Sequence, residues 1–239
     1  LLFISFASCS VQKQIARSAK ADVLDNKSLQ AAHVGISIFD PGTNKYLYNH
    51  QGDKFFVPAS NTKIPTCYAA MKYLGDSLVG ARIAIDEKAR LLVFPTGDPT
   101  FLNSEFIYQA VFEKMKQHKE IFLYTDSWKE VRWGSGWSWN DYEAAYMAER
   151  SPFPVYGNIV RFYLSGDTLK SIPSSISVSA DQVLGYDTKT GTVKLKKFTI
   201  ERGIDDDKFF LKSSTNSFTS VSIPLRSDIG LVSGLLEDV

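Results

Sequence analysis

The sequence predicts an α/β (α+β) fold, a mixed sheet with packed helices, and three observations predict it. Stretches rich in β-branched and aromatic residues recur between clusters of turn residues. Other segments repeat apolar residues at three- and four-residue steps, the period of one helix face. The two kinds alternate along the chain instead of falling into blocks. At 239 residues, 44% hydrophobic and 22% charged, the chain has the composition of a soluble globular protein with one large domain or two small ones.

The elements follow in order. "HVGISIFDPGTNKYLYNH" reads as a hairpin closed by Asp40-Pro41-Gly42-Thr43-Asn44. A helix follows from Ser60, with Ile64, Cys67, Met71 and Leu74 as its core-facing stripe and Cys67 as a small buried hydrophobe. Pro65 predicts a kink in its first two turns, since proline in a helix interior costs roughly 3 kcal/mol. "ARIAIDEKARLLVFPTGDPT" supplies two short strands. "SEFIYQAVFEKMKQH" is a helix with Ser104 as N-cap, and "EIFLYTD" a buried strand. The aromatic-dense loop that follows carries Trp133, Trp137, Trp139 and Tyr142, rings expected to pack the loop onto the domain. From Ile159 the pattern is strand ("IVRFYL", "ISVS", "TVKLKKFTIERG", "FFLKSS", "FTSVSIPL"), and "DIGLVSGLLEDV" opens a helix.

A net charge of +1 argues against nucleic acid as a partner, and "DDD" at Asp205 to Asp207 reads as a solvated turn. His33, His50 and His118 lack metal-ligand spacing, so neither a metal nor another cofactor is expected. "LLFISFASCS" resembles the end of a lipoprotein signal peptide over residues 1–9, with Cys9 as the lipidated residue and a membrane anchor. That places the protein in the cell envelope, facing the periplasm. Residues 10–30 then read as a flexible tether and 31–239 as an incomplete catalytic domain.

Ser60 and Lys63 carry the chemistry. Residues i and i+3 share a helix face, so Lys63 reaches the Ser60 hydroxyl. Serine needs an adjacent base to act as nucleophile, and lysine serves where its surroundings favour the neutral amine. A helix start adds free N–H groups and a dipole that favours developing negative charge. Spacing alone proves little, because "SVQK" at Ser10 to Lys13 repeats it within the expected tether. The competing reading makes Ser60 only a helix cap.

Ser-x-x-Lys is the first signature of the penicillin-recognising serine enzymes. "VYGN", with Tyr156 and Asn158, resembles their second. "VPASNTKIPTCYAAMKYLG", "PTGDPTF" and "GWSWNDYEAAYMAERSPFPVYGN", in this order, resemble the D-alanyl-D-alanine carboxypeptidase/endopeptidase family (peptidase family S13), in the lipoprotein form of Bacteroidetes-type bacteria. The resemblance implies a partial penicillin-binding protein/serine β-lactamase-like transpeptidase fold. It also implies a serine-type peptidase that acts on peptidoglycan stem peptides, with β-lactam antibiotics as covalent inhibitors. Ser60 would be acylated, Lys63 would take its proton, Tyr156 would pass a proton to the leaving D-Ala, and Asn158 would hold the substrate amide and the Lys63 amine. Alternatives are a serine β-lactamase and a catalytically inactive cell-wall-binding lipoprotein.

Two departures stand out. Only ninety-six positions separate Ser60 from Tyr156, so accessory insertions common in the family are reduced. The third signature, K-T-G, occurs as Lys189-Thr190-Gly191 only thirty-three positions after Tyr156, too near for the helices that precede it in the fold. It therefore reads as a turn, with the functional K-T-G expected beyond Val239 and the chain a fragment of a longer protein.

Overall fold

The computed structural model describes residues 10–179, 186–187, 189–193, 197–206, 208–226 and 229–237. The signal-peptide and lipid-anchor readings at residues 1–9, Cys9 included, lie outside these. The chain divides into two units, Leu1–Gly75 and Asp76–Val239.

In the first unit, α1 (Val11–Ser18) continues through a π-helical turn (Ala19–Leu24) into a 3-10 turn (Lys27–Leu29). A flexible tether was the expectation for this stretch. It is helical because Gln, Lys, Ala and Arg are good helix formers and no Gly or Pro interrupts them. The predicted hairpin forms as β1 (Ile36–Asp40) and β2 (Lys45–His50), paired antiparallel from Ile36 opposite His50 to Asp40 opposite Lys45. Asp40 closes its turn by accepting from the Gly42 N–H at 2.9 Å and the Thr43 hydroxyl at 2.6 Å. The Thr43 and Gly42 bonds hold its carboxyl below the ordinary value. Gly35 permits a close approach here, since a Cβ would stand 2.5 Å from the ring of Phe56. That ring stacks on His33 with centroids 4.2 Å apart.

Helix α2 (Lys63–Leu74) follows, and its apolar stripe corrects an expectation. Ile64, Met71 and Leu74 are 70%, 66% and 60% exposed, and Cys67 is an exposed free thiol instead of a buried hydrophobe. The period makes the helix, but burial also needs an opposing surface, and within the first unit none of the described residues covers this face.

In the second unit, β3 (Ala81–Ile85) pairs antiparallel with β4 (Leu91–Pro95), and β4 pairs parallel with β5 (Ile121–Leu123). The connection holds α3 (Ala110–Met115). This helix starts later than Ser104 because Gln109 wraps the preceding chain around its amide. Gln109 accepts from the Leu102 N–H at 2.8 Å and donates to the Phe106 carbonyl at 2.7 Å.

The remaining strands are β6 (Ile159–Ser165), β7 (Thr168–Ile172), β8 (Val178–Ser179), β9 (Tyr186–Asp187), β10 (Thr192–Val193), β11 (Phe198–Arg202), β12 (Phe209–Ser213) and β13 (Ser220–Pro224). One antiparallel sheet runs β13-β6-β7-β10-β9, and a smaller sheet runs β11-β12-β8. The last element is α4 (Ile229–Glu237). Among the described residues the strands thus occupy several small sheets.

Alternation fixes the core. Val160 and Phe162 of β6, Phe198 and Ile200 of β11, and Phe209 and Leu211 of β12 are all buried. Phe162 meets Phe209 edge to face at 5.2 Å, and Phe198 stacks on Phe218 at 4.3 Å. No helix among the described residues is long and apolar enough to cross a membrane.

Phe162→Ala should cost about 3–5 kcal/mol in a denaturant titration, the range for emptying a buried aromatic site. At the β3–β4 turn, Asp86 accepts from the Arg90 side chain at 2.6 Å and from the Arg90 and Lys88 N–H groups. The Arg90 bonds hold its carboxyl below the ordinary value. A lowered folded-state pKa gives stability that is complete above the unfolded value and lost as pH falls through the folded one. Asp86→Asn should therefore lower the unfolding midpoint at neutral pH and flatten its decline below about pH 4.

Candidate functional site

Ser60 and Lys63 sit where extended chain turns into α2. A 3-10 turn (Ala59–Thr62) opens the helix, with the Asn61 N–H bonded to the Pro58 carbonyl at 2.9 Å. Ala59, immediately before Ser60, is left-handed at φ 46°, a strained state for a residue with a Cβ. Lys63 Nζ donates to the Ser60 hydroxyl at 3.3 Å, and both side chains are exposed. The expected kink at Pro65 does not interrupt α2. Pro65 is the third helical residue, inside the first turn, where a missing N–H forfeits little.

Tyr156 and Asn158 belong to the second unit and form a turn entering β6. Three successive residues are left-handed, with φ 55° at Tyr156, 66° at Gly157 and 56° at Asn158. The Tyr156 N–H bonds to the Phe101 carbonyl at 3.0 Å and the Asn158 N–H to the Val155 carbonyl at 2.9 Å. Asn158 is 1% exposed and its amide faces inward. It donates to the Glu149 carbonyl at 2.7 Å and to the Ser151 hydroxyl at 3.0 Å, and accepts from the Val155 N–H at 3.2 Å. Both amide donors are thus occupied within the second unit. Tyr156 packs partly against the core and lines a cleft of about 470 Å³ with Ser104, Glu105, Arg161, Ser220 and Ser222.

Lys189, Thr190 and Gly191 lie in the turn between β9 and β10, as their spacing predicts. Asp187 accepts from the Lys189 N–H at 2.9 Å, and Gly191 is left-handed at φ 67°. Of the aromatic loop, Tyr142 and Trp133 pack as expected. The Tyr142 hydroxyl donates to the Arg202 carbonyl at 3.2 Å, and Arg132 lies over the Trp133 ring at 4.0 Å. Trp137 and Trp139 instead stand 41% and 72% exposed. Among the described residues no group of three His, Cys, Asp or Glu side chains could hold a metal ion.

Sequence reasoning missed the ion pair that supports Asn158. The Arg202 guanidinium donates to the Glu149 carboxylate with both side chains buried. A signal existed, since Arg202 follows Phe198 and Ile200 at two-residue steps, on the buried face of β11.

A family model described as the D-Ala-D-Ala carboxypeptidase 3 (S13) family matches residues 16–203. A D-alanyl-D-alanine carboxypeptidase from Actinomadura sp. is 33% identical over 86 residues, covering 33% of this chain and 16% of that protein. The crystal structure of penicillin binding protein 4 from Haemophilus influenzae is similar with a TM-score of 0.57 at 19% identity. That match covers 85% of this chain and 49% of the solved one, so the chain spans about half of it. The shared fold is a mixed α/β one.

Asn158→Ala leaves the Glu149 carbonyl, the Ser151 hydroxyl and the Val155 N–H without their partner. An unmatched buried group costs about 1–3 kcal/mol, so the substitution should cost about 3 kcal/mol or more in chemical denaturation.

Proposed function

Because the chain belongs to the D-Ala-D-Ala carboxypeptidase 3 (S13) family, we propose that it carries the acylation site of a serine peptidase acting on D-Ala-D-Ala stem peptides of peptidoglycan. The observation that carries this reading is the Lys63–Ser60 contact at 3.3 Å at the head of α2. Ser60 Oγ attacks the carbonyl of the penultimate D-Ala while its proton passes to the Lys63 amine. The C–N bond then breaks, the terminal D-Ala amine leaves with the proton that Lys63 took up, and the acyl group stays on Ser60 until water hydrolyses the ester. The same chemistry at a peptide cross-link is endopeptidase activity. Both side chains are exposed, so the proton transfer is assigned to the substrate complex, where bound peptide excludes water from the lysine.

Tyr156, as the group that passes a proton to the leaving D-Ala, and Asn158, as the holder of the substrate amide and the Lys63 amine, belong to the proposal through the family resemblance alone. A β-lactam ring presents a strained acyl carbonyl to the same serine. The envelope location and a lipid anchor on Cys9 belong to the proposal through the family and the sequence pattern alone.

Benzylpenicillin should add one penicilloyl group to the protein in intact-mass spectrometry, and Ser60→Ala should abolish the adduct. Lys63→Ala should slow acylation by about 10²–10⁴-fold, the usual contribution of a general base. A folded protein that carries the later K-T-G and gains no adduct, or gains it equally with Ser60→Ala, overturns the reading.

A further inference from the structure

Among the described residues, five buried side-chain nitrogens lack a hydrogen-bond partner: Arg132 Nη1, Trp133 Nε1, Arg150 Nε, and Arg202 Nε and Nη1. All five are donors, with no orphaned buried oxygen beside them to accept. They are also neighbours. Arg132 lies over the Trp133 ring, and Arg150 Nη2 donates to the Trp133 carbonyl at 3.1 Å. Arg132 Nη1 stands 3.9 Å from the same Glu149 oxygen that Arg202 binds.

Glu149 is 2% exposed and the Glu143 carboxylate holds the Arg202 backbone N–H, whereas Asp205 on Arg132 and Glu130 on Arg150 are 84% and 59% exposed. The Arg132 and Arg202 guanidiniums therefore share one desolvated carboxylate, and Arg150 is held at the neighbouring Trp133 carbonyl. An unmatched buried donor is destabilising, and five in one patch leave a shortage of acceptors. An acceptor-rich group answers the donor excess, and the planar guanidinium fork matches an oxyanion. Arg132 and Arg150 keep 28% and 35% of their side chains exposed, which gives such a group a way in.

We propose that Arg132, Arg150 and Arg202 form a binding site for a small oxyanion, a carboxylate or phosphate group, which joins the aromatic loop to the end of β11. The site is independent of acyl transfer at Ser60. Thermal unfolding is to be followed in inorganic phosphate and, separately, in acetate, with sodium chloride holding ionic strength constant. The midpoint should rise saturably, by a few degrees at about a hundred times the dissociation constant. The salt that acts names the group.

Ser60→Ala should show the same rise, so failure of the acylation reading leaves this test intact. Arg132→Gln, at a partly exposed position, should stay folded and lose the saturable rise, and Arg202→Met should lose it too. Phosphorus-31 line broadening, present in the parent protein and absent in Arg132→Gln, checks phosphate binding directly. No rise in either salt means that the donors are met by water alone and overturns the proposal. A linear rise shared by Arg132→Gln does the same.

Discussion

The second unit depends on a charge held away from water. Burying an ammonium-like or carboxylate group costs several kcal/mol even after relaxation, so Glu149 and Arg202 are tolerable only together and only with their surroundings ordered. Those surroundings reach far along the chain. The Arg202 N–H binds the Glu143 carboxylate at 2.6 Å, and its carbonyl accepts from Tyr142. The Glu149 carbonyl takes the Asn158 amide. The edge of β11, the aromatic loop and the entry to β6 are therefore one ordered assembly, since loosening any of them strands a desolvated charge.

What the sequence disclosed divides along the range of the forces involved. The β1–β2 hairpin was legible because its turn is closed locally by an aspartate, Asp40. The helix of α2 was legible from its period, whereas its exposure was not, because burial is decided by surfaces distant in sequence. The helical stretch Val11–Leu24 was read as tether on polarity, although its lack of Gly and Pro argued for a helix. The Glu149–Arg202 pair spans fifty-three positions and has no local signature beyond an arginine on an apolar face.

The candidate site divides in the same way. A serine and a lysine one turn apart meet because helix geometry makes them meet, and the sequence could state that contact in advance. The Tyr-x-Asn match identified residue types without saying which way their side chains would point. Direction was set by the carbonyl of Glu149 and the hydroxyl of Ser151, several residues upstream, whose buried groups needed partners. Lys189-Thr190-Gly191 went the other way, because its spacing and turn chemistry identified it as a turn from sequence alone.

The triple left-handed turn has a consequence for heredity. At position 158 the side chain must offer two donors and one acceptor while its backbone stays left-handed at φ 56°. Aspartate lacks the donors, serine offers one, and glycine keeps the backbone while losing every bond. Selection for folding alone would thus hold an asparagine at the end of a Tyr-x-Asn triplet. An invariant letter there would be held by the grammar of the turn, whatever chemistry it also served.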